Sequence, residues 1–181
     1  MPRLIMPRAY IMVGLPCSGK STWISQCAKY YEKDIEIMGN GAAVLSTDAN
    51  LEAEAASLGK TYSEHFSSEA FAAAQKKFDA QCIDAMANHK MIFWDQTNLT
   101  KKKRKMIVEK LTANGYDIII AMEFNTDIAV ILERNKNRTG KTIPVNVIMS
   151  MQNQKQPVSR SEGFWAVYRY NSDSAVYEIV G

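Results

Sequence analysis

Cysteine is scarce in this sequence, with three residues (Cys17, Cys27 and Cys82) among 181. An odd number without metal-ligand spacing argues against a disulfide scaffold and a zinc site, and fits free thiols in a reducing, cytoplasmic setting. The only two histidines, His65 and His89, lie far apart. No apolar run approaches the ~20 residues a membrane span needs. The first residues carry positive charge but neither a long apolar stretch nor a small-residue cleavage site, so no signal peptide is expected. Charge of one sign is not in excess either. Lys plus Arg number 22 against 19 Asp plus Glu, a net +3 that does not by itself indicate a nucleic-acid binder. Internal repeats, low-complexity tracts and linkers are missing, so one domain over residues 1–181 is expected.

What is present is a foldable core. The hydrophobic fraction is 46%, and a chain of this size buries roughly 70% of its unfolded surface. Short apolar runs alternate with helical patterns, which predicts an α/β fold with a central, mostly parallel five-stranded sheet flanked by helices. The strands are expected at residues 9–13, 42–46, 91–94, 116–124 and 175–179, with a turn at 39–41. Helices are expected at 20–31, within a helix-rich stretch at 49–89, and at 100–113, 127–136 and 144–154. In the stretch 69–88, Phe71, Ala74, Phe78, Cys82 and Ala85 recur at three- and four-residue spacing and should bury one face. The ten methionines are scattered and read as core filler.

The chemistry begins after the first strand. Gly14, Leu15, Pro16, Cys17, Ser18, Gly19, Lys20 and Ser21 match G-x-x-x-x-G-K-[ST] position for position, and Thr22 follows. The glycines let backbone amides and a helix N-terminus wrap a phosphate chain. Lys20 adds a positive charge for the β/γ-phosphates, and Ser21 offers a hydroxyl to Mg²⁺. The loop thus points to a nucleoside triphosphate, with ATP and Mg²⁺ as the expected cofactors. Cys17, inside the loop, reads as a filler residue or as a redox switch.

Acids follow the next two strands. Ligands bind at the carboxyl ends of parallel strands, so Asp48 should face the phosphate loop. There it could accept the proton of an attacking hydroxyl or cap a helix. Asp95 could hold a metal-bound water, orient Ser21 or cap the following helix. Arg134 and Arg138, four residues apart, should share a helix face and lead into a cationic flap through Lys141. Closing over the phosphates, they would neutralise developing charge. Lys101, Lys102, Lys103, Arg104 and Lys105 form the densest charge run, at a helix start where cations oppose the macrodipole. They read as a solvated face or as a contact for an anionic polymer.

On these residues the chain resembles the kinase domain of the phage polynucleotide 5′-kinases, within the broader zeta-toxin-like P-loop kinases. The likeness spans about residues 10–154. It is carried by the phosphate loop with Thr22 and Trp23 after it, by Asp48, by Thr97, Asn98 and Leu99, and by the run from Arg134 to Lys141 followed by Ile143, Pro144 and Val145. The resemblance implies a P-loop kinase fold with a helical arginine lid at about 134–143 and ATP as donor. It implies a nucleic-acid hydroxyl as acceptor, most simply a 5′-OH end of DNA or RNA. Asp48 would be the general base, Lys20 and Arg138 would be catalytic with Arg134 assisting, and a phage protein would work in the host cytoplasm. Two departures stand out. The family places an arginine three residues after the catalytic acid, where this chain has Leu51. No Asp-x-Asp-x-Thr phosphatase motif is present, so no phosphatase domain is expected. The departure at Leu51 keeps a hydroxymethylated pyrimidine in DNA or a small-molecule alcohol open as acceptor. A nucleotide-hydrolysing switch or motor subunit is the reading from another class.

Overall fold

The computed structural model describes residues 7–30, 40–172 and 174–180. Six strands form one sheet: β1 (Arg8–Val13), β2 (Ala42–Leu45), β3 (Met91–Trp94), β4 (Ile118–Phe124), β5 (Ala166–Asn171) and β6 (Val176–Val180), in the order β2-β3-β1-β4-β5-β6. The first five are parallel, and β6 runs antiparallel to β5. The helices are α1 (Lys20–Tyr30), α2 (Thr47–Ser57), a single turn α3 (Tyr62–His65), α4 (Ser68–Ala87), α5 (Lys101–Thr112), α6 (Ile128–Lys136) and α7 (Val145–Gln154).

The α/β layout with a mostly parallel sheet follows the sequence pattern, but among the described residues the sheet has six strands rather than five. The additional strand is β5, whose Arg169 breaks the apolar run. Its Ala166, Tyr168 and Tyr170 pack on one face of the sheet, while Val167 joins the other. That two-residue alternation is the signal that marks a strand. The expected turn at 39–41 is described only at Asn40 and Gly41, and Tyr31 lies outside the described residues.

The same alternation builds two cores from β1. Ala9, Ile11 and Val13 face α4 and α5, where Phe78, Cys82, Ile107, Val108 and Leu111 cover them. Tyr10 and Met12 face α1, where Trp23 and Ile24 pack with Phe93 and Phe124. Each fully buried large side chain contributes about 1.5–3 kcal/mol, so the central strand is held firmly from both sides. α4 buries Ala70, Ala74, Phe78, Cys82, Ala85 and Met86. Phe71, expected on that face, is instead 43% exposed, because the stripe runs through Ala70 and Ala74 and Phe71 sits one position off it.

The charge run at residues 101–105 is neither a uniform solvated face nor a continuous cationic surface. Arg104 is fully buried and bonded through two nitrogens to Glu162, at 2.7 and 2.9 Å. It also donates to the carbonyls of Asn98, Leu99, Gln156 and Pro157. A buried arginine survives only when its donors are met in this way. It ties the loop after β3 to the segment that follows α7.

Candidate active site

The loop from Gly14 to Gly19 joins the end of β1 to the start of α1. Gly14 N–H donates to Thr97 O at 3.0 Å. A Cβ at Gly14 would stand 2.8 Å from Ser18 Oγ and 2.9 Å from Phe124 Cβ, so no other residue fits without a shift. Cys17 and Gly19 have φ of 62° and 97°. Such left-handed residues in a tight loop turn successive amides inward to form an anion-binding concavity. Ser18 Oγ is buried without a hydrogen-bond partner among the described residues, which leaves its hydroxyl available to a phosphate oxygen. Cys17 packs with Leu15, Leu99, Ile131 and Ile148 under the loop.

Lys20 opens α1, and its ammonium folds back onto the loop, donating to Gly14 O at 3.0 Å and Leu15 O at 2.6 Å. Burial pushes its pKa down to about 8, against the pull of the nearby Asp95 and Asp48 carboxylates. Ser21 Oγ donates to Asp95 Oδ2 at 3.0 Å. Burial raises the Asp95 pKa, opposed by Lys20 and by the Ser21 hydroxyl. Of the roles open to Asp95, orienting Ser21 is the one this geometry displays, while Thr100 caps α5. Two hard oxygens so placed suit a divalent cation such as Mg²⁺.

Asp48 does not cap its helix either. Ser46 does, accepting from Ala49 N–H, and Asp48 falls in the first turn of α2. Its carboxylate is half exposed, accepting from Tyr62 O–H at 3.1 Å and from Lys141 Nζ at 2.9 Å. Lys141 is nearly buried, also bonds Glu52 Oε1 at 2.7 Å, and stands 4.0 Å over the Tyr62 ring. Asp48 acts on the charges of both Lys20 and Asp95, so the acid and the loop share one site.

Arg134 and Arg138 do not share a helix face. α6 stops at Lys136 with Asn137 as its C-cap, and Arg138 lies beyond it. Residues 134–143, expected as a helical lid, are therefore a helix end followed by a loop, because Gly140 takes φ 73° and Pro144 cannot continue a helix interior. The buried Asn135 amide holds the far side of that loop by bonding both N–H and C=O of Ile143. Arg134 reaches Cys17 O at 3.4 Å and Ser172 Oγ at 3.0 Å, beside the phosphate loop. Arg138 instead pairs with Glu52 at 3.3 Å. The loop rests on α3, since Ser63 N–H donates to Gly140 O and Thr142 N–H to Ser63 Oγ.

Glu52, Tyr62, Thr126 and Ser172 were not singled out by sequence reasoning. Glu52 was findable, because i and i+4 share a helix face with Asp48. The turn carrying Tyr62 was also marked by Thr61 and Glu64, a capping box that the structure forms. Thr126 and Ser172, which bond each other across 46 residues and reach Ser18 O and Arg134, had no local signal. Leu51 is fully buried with Ala70, Ala74 and Tyr62, so its position points into the helical layer rather than toward the acid.

A mostly parallel sheet with a phosphate loop after β1, acids after β2 and β3 and an arginine-bearing helix end after β4 defines a P-loop kinase-type domain. The chain belongs to the AAA domain family, whose signature matches residues 10–158. Membership implies use of a nucleotide, ATP. No curated protein sequence matches significantly. Among solved structures, the chain is similar to one from the PezAT toxin–antitoxin system of Streptococcus pneumoniae, with 15% identity, 97% of this chain and 71% of that chain covered, and TM-score 0.62. It is also similar to a gluconokinase from Sinorhizobium meliloti, at 16% identity with 92% and 83% covered and TM-score 0.51. A fungal RNA kinase matches at 11% identity with 90% and 38% covered and TM-score 0.56. At these identities the likeness is one of fold.

Proposed function

We propose that this protein is an ATP-dependent kinase that transfers the γ-phosphate to a nucleic-acid hydroxyl, most simply the 5′-OH end of DNA or RNA, as phage polynucleotide kinases do. The observation that carries this reading is the half-exposed Asp48 carboxylate beside Lys20 and Asp95. An acid that neither caps a helix nor is buried, next to a phosphate loop, suits a base for an attacking hydroxyl.

In this mechanism the loop amides, Ser18 and Lys20 hold the donor phosphates. Ser21 and Asp95 would hold Mg²⁺, which offsets charge on the phosphate oxygens when bound. The acceptor hydroxyl displaces one of the present donors to Asp48, Tyr62 or Lys141, and gives its proton to that carboxylate. Its oxygen bonds the γ-phosphorus as the bond to the β-phosphate oxygen breaks, and ADP leaves. Arg134, already beside the loop, and Arg138, released from Glu52, offset the charge that develops.

The RNA-kinase likeness supports a nucleic-acid acceptor only at the level of fold. The buried Leu51 favours a second reading, a hydroxymethylated pyrimidine or a small-molecule alcohol, because the acceptor side lacks an arginine at that position. Incubation with labelled ATP and a panel of 5′-OH oligonucleotides, hydroxymethylated duplex, nucleosides and simple alcohols separates them. Label on 5′-OH ends is expected. Label only on the modified duplex or on an alcohol overturns the lead, and rapid ATP turnover without any acceptor favours a nucleotide-hydrolysing switch.

A further inference from the structure

Next to Asp48 lies an aromatic series that the phosphotransfer mechanism leaves unused. Tyr62, whose hydroxyl bonds Asp48, contacts the Phe66 ring at 5.7 Å between centroids, and Phe66 contacts Phe71 at 6.3 Å. Phe66 is 54% exposed and Phe71 43% exposed. Single exposed apolar residues are ordinary, but two exposed phenylalanines in ring contact, their planes tilted 56° to one another and linked through Tyr62 to the proposed base, offer an open ring face at the site's edge. Their placement is built in: Phe66 caps α3 and turns the chain outward, and Phe71 sits in the first turn of α4, off the buried stripe. The capping box between Thr61 and Glu64 fixes the turn that carries Tyr62.

We propose that Phe66 and Phe71 are a stacking platform for the unpaired base of the acceptor strand's 5′-terminal nucleotide, which carries its hydroxyl to Asp48. The proposal rests on the nucleic-acid reading above and supplies the acceptor contact that Leu51 cannot make. A neutral, flat base suits this surface better than a phosphate does, because the exposed acids Glu64 and Glu69 lie two residues before Phe66 and Phe71 in the chain. A 5′-OH terminus brings no phosphate of its own to that end of the strand. Stacking on aromatic side chains is tolerant of sequence, so the platform would accept any terminal base.

The test uses the full chain and a short single-stranded DNA with a 5′-OH and 2-aminopurine as its first base. Quenching of that base on binding is expected. Phe66→Ala with Phe71→Ala should weaken binding roughly tenfold to a hundredfold, the range for losing one or two stacked rings. Phe66→Trp should retain it, and ATP affinity should stay unchanged. An abasic first position should cost the wild type a similar factor and the double variant almost nothing, which keeps the test decisive if that variant folds poorly. Unquenched fluorescence, or affinity indifferent to both the rings and the base, overturns the platform. Labelled-phosphate transfer to the same DNA is scored separately. Ring-dependent binding without transfer refutes the kinase acceptor and leaves the platform, and transfer indifferent to the rings does the reverse.

Discussion

The proposed donor and acceptor halves of the site are built in opposite ways. On the donor side, Ser18 and Lys20 are buried and Asp95 is desolvated; Lys20 donates to backbone carbonyls and Asp95 accepts from one hydroxyl. The loop is braced from behind, with Gly14 held by Thr97 O, Asn98 Nδ2 on Met12 O at 2.8 Å, and Arg104 on the Asn98 and Leu99 carbonyls. On the acceptor side, Asp48 and Glu52 are about half exposed; the nearly buried Lys141 pairs with both, and Arg138 pairs with Glu52. A phosphate chain is the same in every nucleotide, so a rigid cradle serves it. The proposed acceptor side must open to a second substrate, and the exposed Arg138–Glu52 pair, worth about 0–1 kcal/mol, can be exchanged at little cost.

The largest effect expected is on the acceptor acid. Asp48→Asn should slow single-turnover transfer ~10²–10⁴-fold, the usual worth of a general base, while nucleotide binding persists; near-normal rates would remove Asp48 from the chemistry. Next comes the brace behind the donor loop. Arg104→Ala leaves Glu162 buried and unpaired and should cost roughly 3–5 kcal/mol in urea unfolding. A loss below 1 kcal/mol would mean that the donor half is no more rigid than the acceptor half. Lys20→Ala should lower turnover ~10²–10³-fold, the scale of one preorganised transition-state donor, with the fold intact by circular dichroism.

A pH series sharpens the contrast further. The charged ammonium of Lys20 is the form that attracts phosphate, and with a pKa of about 8 it is lost as pH rises. Nucleotide affinity should therefore hold below pH 8 and fall above it, by at most about tenfold per unit. Bound phosphate favours the ammonium, so calorimetry in buffers of different ionisation enthalpy should show proton uptake there, and Lys20→Arg should flatten the profile. The smallest effect belongs to the lid contact. Arg138→Ala should change urea stability by no more than about 1 kcal/mol, because it and its partner Glu52 are both more than a third exposed. A larger loss would show that the acceptor half is as fixed as the donor half.

The donor side was legible because its constraints are local. Gly14 and Gly19 are required by close approach and positive φ, and Lys20 and Ser21 by their place at a helix start, all within eight consecutive residues. The acceptor side was legible only in part. Asp48 was visible as an acid after a strand, but its partners Tyr62 and Lys141 come from positions 14 and 93 residues away. Arg104 looked like one more cation in a basic run, since nothing near it in sequence announces Glu162. Phe71 looked like core because helical spacing alone does not distinguish a stripe through Ala70 and Ala74 from one shifted by a single residue. β5 escaped because an arginine in mid-strand hides the alternation around it.

By itself, the sequence determined the α/β class, the phosphate loop and the acid that follows β2, since each depends on residues close together in the chain. The tertiary structure alone decided which acid meets which cation, that α6 ends in a loop resting on α3, that Arg104 is an internal brace, and that two exposed phenylalanines connect through Tyr62 to Asp48. Those outcomes depend on burial and on contacts between distant segments, and desolvation sets their energies only once the chain has closed around them.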